Sequence, residues 1–429
     1  MALPQITYKV TDRNLFRALA GEDHISALVF DVATFPTSTN NTGSNGDVYE
    51  VFSFKEAEDL GFKAFDSVTP TNNYENGVPH YHIKEFFRIN PNGQLFIGVR
   101  DITADGDFSF LSDVQKASQG KIRQIGVYTK QDLWLPGAMS TDPYTPTLTG
   151  AIQSTAESDA ALNQPYSVLL HANTSSVGGI DVDRSLIPTV LGSDHRVTVL
   201  IGQGNSDFIK DLQSGNEAKK ATIGTVGTAL GIATLAKVHE SIGWVNNFNV
   251  GGTDLDTIAF GFGSIADESP TSKRLADSTN IDALSRTQLD SFENLGYVFP
   301  IKYVGRSGTY FTSDTTASTG DYRTFARNRV IDKSRRLVRT ALLPTLNQPL
   351  YVATDGTLSI ATIQQFKSLV SFQLSQMRIA LEISDFTVEI DPNQDVLATD
   401  KLNIKYRIIP VGVNKEVEVE IGLAASTSQ

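Results

Sequence analysis

Between residues 48 and 263, short apolar runs alternate with stretches whose hydrophobic residues recur at helical spacing. Strands are predicted at 95–99, 122–128, 166–170, 197–201 and 258–262, and helices at 109–118, 151–162 and 183–191. Such alternation implies α/β layers. Pro143, Pro146 and Gly150 suggest a subdivision near residue 150. Near the start, residues 5–11 (QITYKVT) alternate polar and apolar positions as a half-buried strand does. The polar run 37–46 (TSTNNTGSNG) reads as an exposed loop. Residues 221–238 are apolar but carry four threonines and Lys237, so a buried helix fits better than a bilayer span. There, Gly224, Gly227 and Gly231 would let another backbone approach closely.

The last third has a different rhythm. Over residues 329–342, a helical wheel places Val330, Ile331, Ser334, Leu337, Val338, Ala341 and Leu342 on one side, and Arg329, Asp332, Lys333, Arg335, Arg336 and Arg339 on the other. A turn at Asp355 and Gly356 leads to a second helix, 359–381, with Ile363, Phe366, Val370, Leu374, Met377 and Leu381 on one stripe. Three strand patterns follow, at 386–390, 402–409 and 416–421. The second alternates Lys401, Asn403, Lys405 and Arg407 with apolar residues; the third alternates Glu416, Glu418 and Glu420 with Val417, Val419 and Ile421. Opposite charges facing across such strands favour one register.

Bulk properties narrow the function. A chain of 429 residues, 40% hydrophobic, is long enough for two or three packed units. A net charge of −12 argues against general nucleic-acid binding, which needs surplus cations. No cysteine is present, so disulfides, thiolate chemistry and Cys-ligated metals are excluded. Residues 1–10 lack the basic cluster and apolar core of a secretion signal.

Candidate chemistry is sparse. His80 and His82, two apart on a short strand, would share a face near Glu85, but a structural metal site needs more ligands. Gly202-Gln203-Gly204 follows a strand-like run, yet Asp207 stands where a dinucleotide loop needs its third glycine, so an ordinary strand-to-helix turn is expected. Asp101, Asp105 and Asp107 miss the calcium-loop spacing, and no Gly-x-Ser-x-Gly elbow occurs. No cofactor, metal or catalytic residue is assigned. The densest charge feature is the basic helix, which suits an acidic protein surface. A strand-like segment at each end of the chain suits the addition of strands to neighbouring subunits.

Three C-terminal segments, NRVIDKSRRLVRTALLPTLNQPLYV, SIATIQQFKSLVSFQLSQMRIAL and FTVEIDPNQDVLATDKLNIKYRIIPVGVNKEVEVEIG, resemble in their order the inner domain of contractile tail sheath proteins. FKEAEDLGF and HIKEFFRINPNGQLFIGVR resemble that family's small helix and its Phe-Phe helix running into a strand. One departure is the lack of a glycine soon after the long helix, in residues 378–384. The resemblance implies an α/β chain with an α+β inner domain. Its expected divisions are an N-terminal arm, 1–20; outer α/β portions, 21–150 and 151–299; and an inner assembly domain, 300–429. It further implies a non-enzymatic sheath subunit that assembles with itself in hexameric rings or helical strands around an inner tube. Contraction would drive that tube through a target envelope for genome ejection or injection. Baseplate and tail terminator proteins are the other implied partners, with no direct nucleic-acid contact and no membrane insertion. The expected location is a virion tail, or an injection particle assembled in the bacterial cytoplasm. Inter-subunit strand exchange is expected at Ile6, Tyr8, Val10, Val417, Val419 and Ile421, and tube contact at Arg329, Lys333 and Arg336. A tube or capsid protein, or an α/β enzyme, are the competing readings.

Overall fold

The computed structural model describes residues 22–65, 74–104, 106–131, 133–135, 145–146, 148–171, 187–204, 206, 209, 223–252, 255–256, 258–260, 279–280, 284–353 and 356–423. The expected N-terminal strand, with Ile6, Tyr8 and Val10, lies outside them. Seven strands make one sheet: β1 (Ser26–Asp31), β2 (Val48–Val51), β3 (Leu95–Arg100), β4 (Gln124–Tyr128), β5 (Ser167–His171), β6 (Val197–Leu200) and β7 (Tyr297–Val298). Their order is β7-β6-β5-β4-β1-β3-β2, parallel throughout except at the β2–β3 edge. The central strand, β1, is buried at all six positions, and its sequence SALVFD shows no alternation because both faces are covered.

Helices α1 (Phe54–Leu60), α2 (Tyr74–Ile89), α3 (Phe110–Ala117), α4 (Leu148–Ala161), α5 (Val226–Leu235) and α6 (Arg286–Asn294) surround this sheet. Ala27, Val29, Ile125 and Val168 share a core with residues of α3 and α4. Leu28, Phe30, Ile97 and Leu169 point the other way, into a core shared with α2 and α5. The body is therefore a three-layer α/β/α structure. On the second face α2 and α5 pack backbone to backbone: a Cβ built on Gly227 would lie 2.2 Å from the His82 carbonyl oxygen. That close approach is why glycine stands there.

Several boundaries differ from expectation. The Pro/Gly-rich stretch near residue 150 does not divide two cores, because β4 before it and β5 after it pair in one sheet with Ile125 opposite Val168. The segment expected to be a strand over 258–262 forms Ile258–Phe260, which pairs with Gln203–Gly204 and Thr279–Asn280 outside the large sheet. Residues 187–191 are not helical, and 183–186 lie outside the described residues. The polar run after residue 36 makes a small hairpin, Thr37–Ser38 with Asn41–Thr42.

The C-terminal unit has its own core. Helix α7 (Phe325–Leu342) starts where the Thr324 hydroxyl accepts from the Arg327 N–H at 3.2 Å; α8 (Ile360–Ile379) starts where Ser359 accepts from Thr362 at 3.1 Å. Behind them β8 (Ile383–Glu389) and β9 (Lys405–Pro410) pair antiparallel, with Val388 opposite Tyr406 and Phe386 opposite Ile408. Val330 and Val338 of α7, Val370, Leu374 and Met377 of α8, and Ile383 and Val388 of β8 fill the space between. Phe325, at the first turn of α7, belongs instead to the core of the body, so α7 is shared by both parts. Leu381, assigned to the buried stripe, is 72% exposed because it lies beyond the helix end with φ +60°. Gly356 has φ +83°, suiting the expected turn, whose Asp355 is outside the described residues. Among the described residues, no helix is long and apolar enough to cross a membrane.

Candidate functional site

Two surfaces stand out, the basic side of α7 and the far end of the chain. On α7, the sequence assigns Arg329, Lys333 and Arg336 to an outward face. The structure turns them inward. Arg329 is 4% exposed, lies over the Phe325 ring, and donates to the Ala236 carbonyl at 3.1 Å and the Lys237 carbonyl at 3.3 Å. Those carbonyls end α5, where the helix dipole favours a cation. Burial pulls the Arg329 pKa down to about 10 despite Asp23 nearby. Lys333 pairs with Asp23 at 2.7 Å and Glu382 at 2.6 Å, and Arg336 pairs with Asp23 at 2.5 Å. Burial works to raise the Asp23 pKa, but Lys333, Arg336 and Arg329 outweigh it and hold the carboxyl below its ordinary value.

The same helix places an acid against the body. Asp332 accepts from Arg196 at 2.9 Å, with both side chains 5% exposed, and the Arg196 Nε also reaches Glu157 of α4 at 2.6 Å. Arg335 donates to the Ala160 carbonyl, in the last turn of α4, at 3.1 Å. These contacts overturn the expected division of α7 into an apolar buried side and a charged exposed side: Arg329 and Asp332 are as buried as Val330. Asp23 and Arg196, which cause this, lie far away in sequence. The single acid within a basic helix, Asp332, was the one local sign that some charges there are paired inward.

At the other surface, β8 and β9 form a two-stranded sheet covered on one face only, with no strand paired to either outer edge among the described residues. Its outward face carries Asp385, Thr387 and Glu389 on β8, with Lys405 and Arg407 on β9; Thr387 stands opposite Arg407 and Glu389 opposite Lys405. After Pro410 the chain runs on to Leu423 without forming a strand, so the expected ladder of 416–421 with 402–409 is absent from the subunit. Val417 and Val419 are each 69% exposed and Ile421 87%. Lys415 of this arm lies 2.8 Å from Glu293 of α6.

The remaining candidates are occupied by packing. His80 and His82 lie on α2, not on a strand, and two residues apart on a helix they do not share a face. His80 meets Glu58 at 3.2 Å. His82 is fully buried, its Nε2 donating to the Ile223 carbonyl at 2.9 Å and its Nδ1 accepting from the Gly227 N–H at 3.3 Å. Burial lowers its pKa to about 3, so the ring is neutral. Glu85 binds Arg88 at 2.7 Å and Thr228 at 3.2 Å. Gln203-Gly204 is a short paired strand, Ile209 beyond it is helical, and the Gln203 Oε1 accepts from the Ile223 N–H. Asp101 faces Lys130 and Asp107 faces Arg100, each at 3.3 Å, while Asp105 and Asp207 lie outside the described residues.

Residues 321–428 match the family model described as DUF2586, C-terminal domain. No curated protein sequence matches the chain. Among solved structures, the chain is similar to one from the anti-feeding prophage helical sheath in its contracted state, with TM-score 0.61 and 13% identity over 98% of this chain and 99% of that one. It is also similar to a chain from the six-fold symmetrised baseplate of the same particle, with TM-score 0.60, 12% identity and 99% coverage of both. A third is from the contracted sheath complex of PVC, an extracellular contractile injection system, with TM-score 0.55 and 8% identity over 99% of this chain and 98% of that one. The chain shares their fold from end to end.

Proposed function

We propose that this chain is a structural subunit of a contractile sheath, polymerising around an inner tube and contracting to drive that tube through a target envelope. The observation that carries the proposal is the fold shared with contracted sheath chains over nearly all of the length. The exposed arm supports it: Val417, Val419 and Ile421 on one side and three glutamates on the other suit β-augmentation of a neighbour. Ile6, Tyr8 and Val10 supply the second link. Residues 1–20 and 300–429 act as the connected inner domain, while the α/β body moves between extended and contracted lattices. The stored energy lies in a bistable interface rather than in a nucleotide. The protein's role is mechanical and calls for no catalytic centre.

Its partners are its own copies in rings or helical strands, the tube, the baseplate and the terminator of a virion tail or injection particle, with assembly in the bacterial cytoplasm. A tube grip through Arg329, Lys333 and Arg336 must first break their pairs inside the subunit. Those three therefore hold α7 to the body, and exposed Arg339 is the cation that α7 still offers to an acidic tube. Electron microscopy of the purified protein should show hollow, helically striated cylinders; closed shells or a monodisperse monomer under all assembly conditions would overturn the proposal. Deleting residues 415–429 should stop polymerisation, and unchanged cylinders would remove strand exchange by the arm.

A further inference from the structure

We propose that a small cavity where α7 meets the body binds one halide ion, chloride, among the guanidinium groups of Arg123, Arg329 and Arg336. The site lies within one subunit and does not depend on assembly. Those three arginines wall the cavity together with Asp23, Asp332 and Val238, and its volume of about 10 Å3 leaves room for one particle the size of a water molecule. A monoatomic anion suits that space, whereas a tetrahedral oxyanion is too large. Three cations face two anions there, and both anions are already engaged. Asp23 takes Lys333 and Arg336, while Asp332 takes Arg196 at 2.9 Å and Arg335 at 3.8 Å.

Arg329 is the unbalanced charge. It is 4% exposed and donates only to the carbonyls of Asp23, Ala236 and Lys237, with no carboxylate at ion-pair distance among the described residues. Carbonyl dipoles compensate a buried guanidinium less fully than a counter-charge does. Arg123, just before β4, is also buried. Its Nη1 donates to the Gly120 and Ile122 carbonyls and its Nη2 to Glu22, but its Nε has no partner among the described residues. Burial lowers the pKa of both Arg329 and Arg336, and repulsion adds to it, on Arg329 from Arg336 and on Arg336 from Arg123. A halide among the three supplies the missing counter-charge, relieves that repulsion and offers the Arg123 Nε an acceptor. A water molecule in the same place would leave Arg329 unbalanced. Because Arg123 and Asp23 belong to the body and Arg329 and Arg336 to α7, the ion acts as a removable pin between the body and the C-terminal unit.

Melting of the full chain at constant ionic strength, with sodium chloride replacing sodium gluconate, tests the site. Once chloride exceeds its Kd, Tm should rise by about 1–2 °C for each tenfold increase. Bromide should act alike, and excess broadening of the chloride NMR line should accompany the rise and be displaced by bromide. Arg329→Met and Arg123→Gln should each abolish both effects. Equal Tm in chloride and gluconate, with no excess broadening, gives the cavity to water and overturns the proposal. Effects that survive in these variants place the ion elsewhere and overturn it equally. If Arg329→Met does not fold, Arg123→Gln and the linewidths decide.

Discussion

The body and the C-terminal unit treat the same physical problem in opposite ways. The seven-stranded sheet is covered on both faces, and its end strands are short, four residues in β2 and two in β7, which limits pairing with other chains. Among the described residues, the two-stranded sheet of β8 and β9 has one covered face and two open edges, an arrangement that is marginal alone. The large sheet is finished within one molecule, whereas among the described residues the C-terminal sheet keeps one face and both edges uncovered.

Substitutions can break this contrast. The largest effect is expected where the two parts meet: Asp332→Ala strands Arg196 in a nearly closed site and should cost about 3–5 kcal/mol, whereas Arg196→Met with Asp332→Leu should recover much of it. Thermal unfolding of both variants checks this, and equal losses would mean that the ion pair does not couple body to C-terminal unit. Next, Leu374→Ala, in the core under β8, should cost about 2–5 kcal/mol. Hydrogen exchange should place the loss in residues 325–410 and leave β1 protected; uniform loss would show one cooperative unit.

Acid should act on the body first, since all six histidines lie at or before residue 239. Unfolded His82 titrates near 6.5 and the folded residue near 3, so between these values the unfolded chain binds more protons. The contribution is fully present above about pH 6.5 and is lost toward pH 3 with a slope of up to about 1.4 kcal/mol per pH unit. His82→Gln, which can keep both hydrogen bonds, should flatten that slope between pH 6.5 and 5 in denaturant titrations; an unchanged slope would assign the acid sensitivity elsewhere. The smallest effect is expected at Lys405→Gln, which should alter subunit melting by less than about 0.5 kcal/mol, because the side chain is exposed. A larger shift would show that β9 is already locked within the subunit.

Legibility in the sequence follows the same divide. Strands β3 to β6 were readable as short apolar runs between breaks, but β1, whose apolar core Ala27–Phe30 is only four residues long between polar Ser26 and Asp31, was missed. The second half of helix α2 was legible through the resemblance of HIKEFFRI to a Phe-Phe helix, while its first turns were hidden by Pro79 and by a mixture of His, Tyr and Asn residues. The two C-terminal helices were evident from their spacing. What α7 does with its charges was not, since Arg336 and its partner Asp23 are 313 positions apart and only the fold brings them together. The alternation at 416–421 was equally visible, but a strand pattern specifies the ability to pair and says nothing of which molecule supplies the mate.

Helix α7 has a mechanical consequence. Its 18 residues make a rod about 27 Å long, rooted at Phe325 in one core and running alongside another. Clasped along its flank by Asp23, Arg196 and Glu382, it cannot swivel independently of either. A load applied at β9 would therefore reach the large sheet through α7 as torque, like a crank turning its shaft.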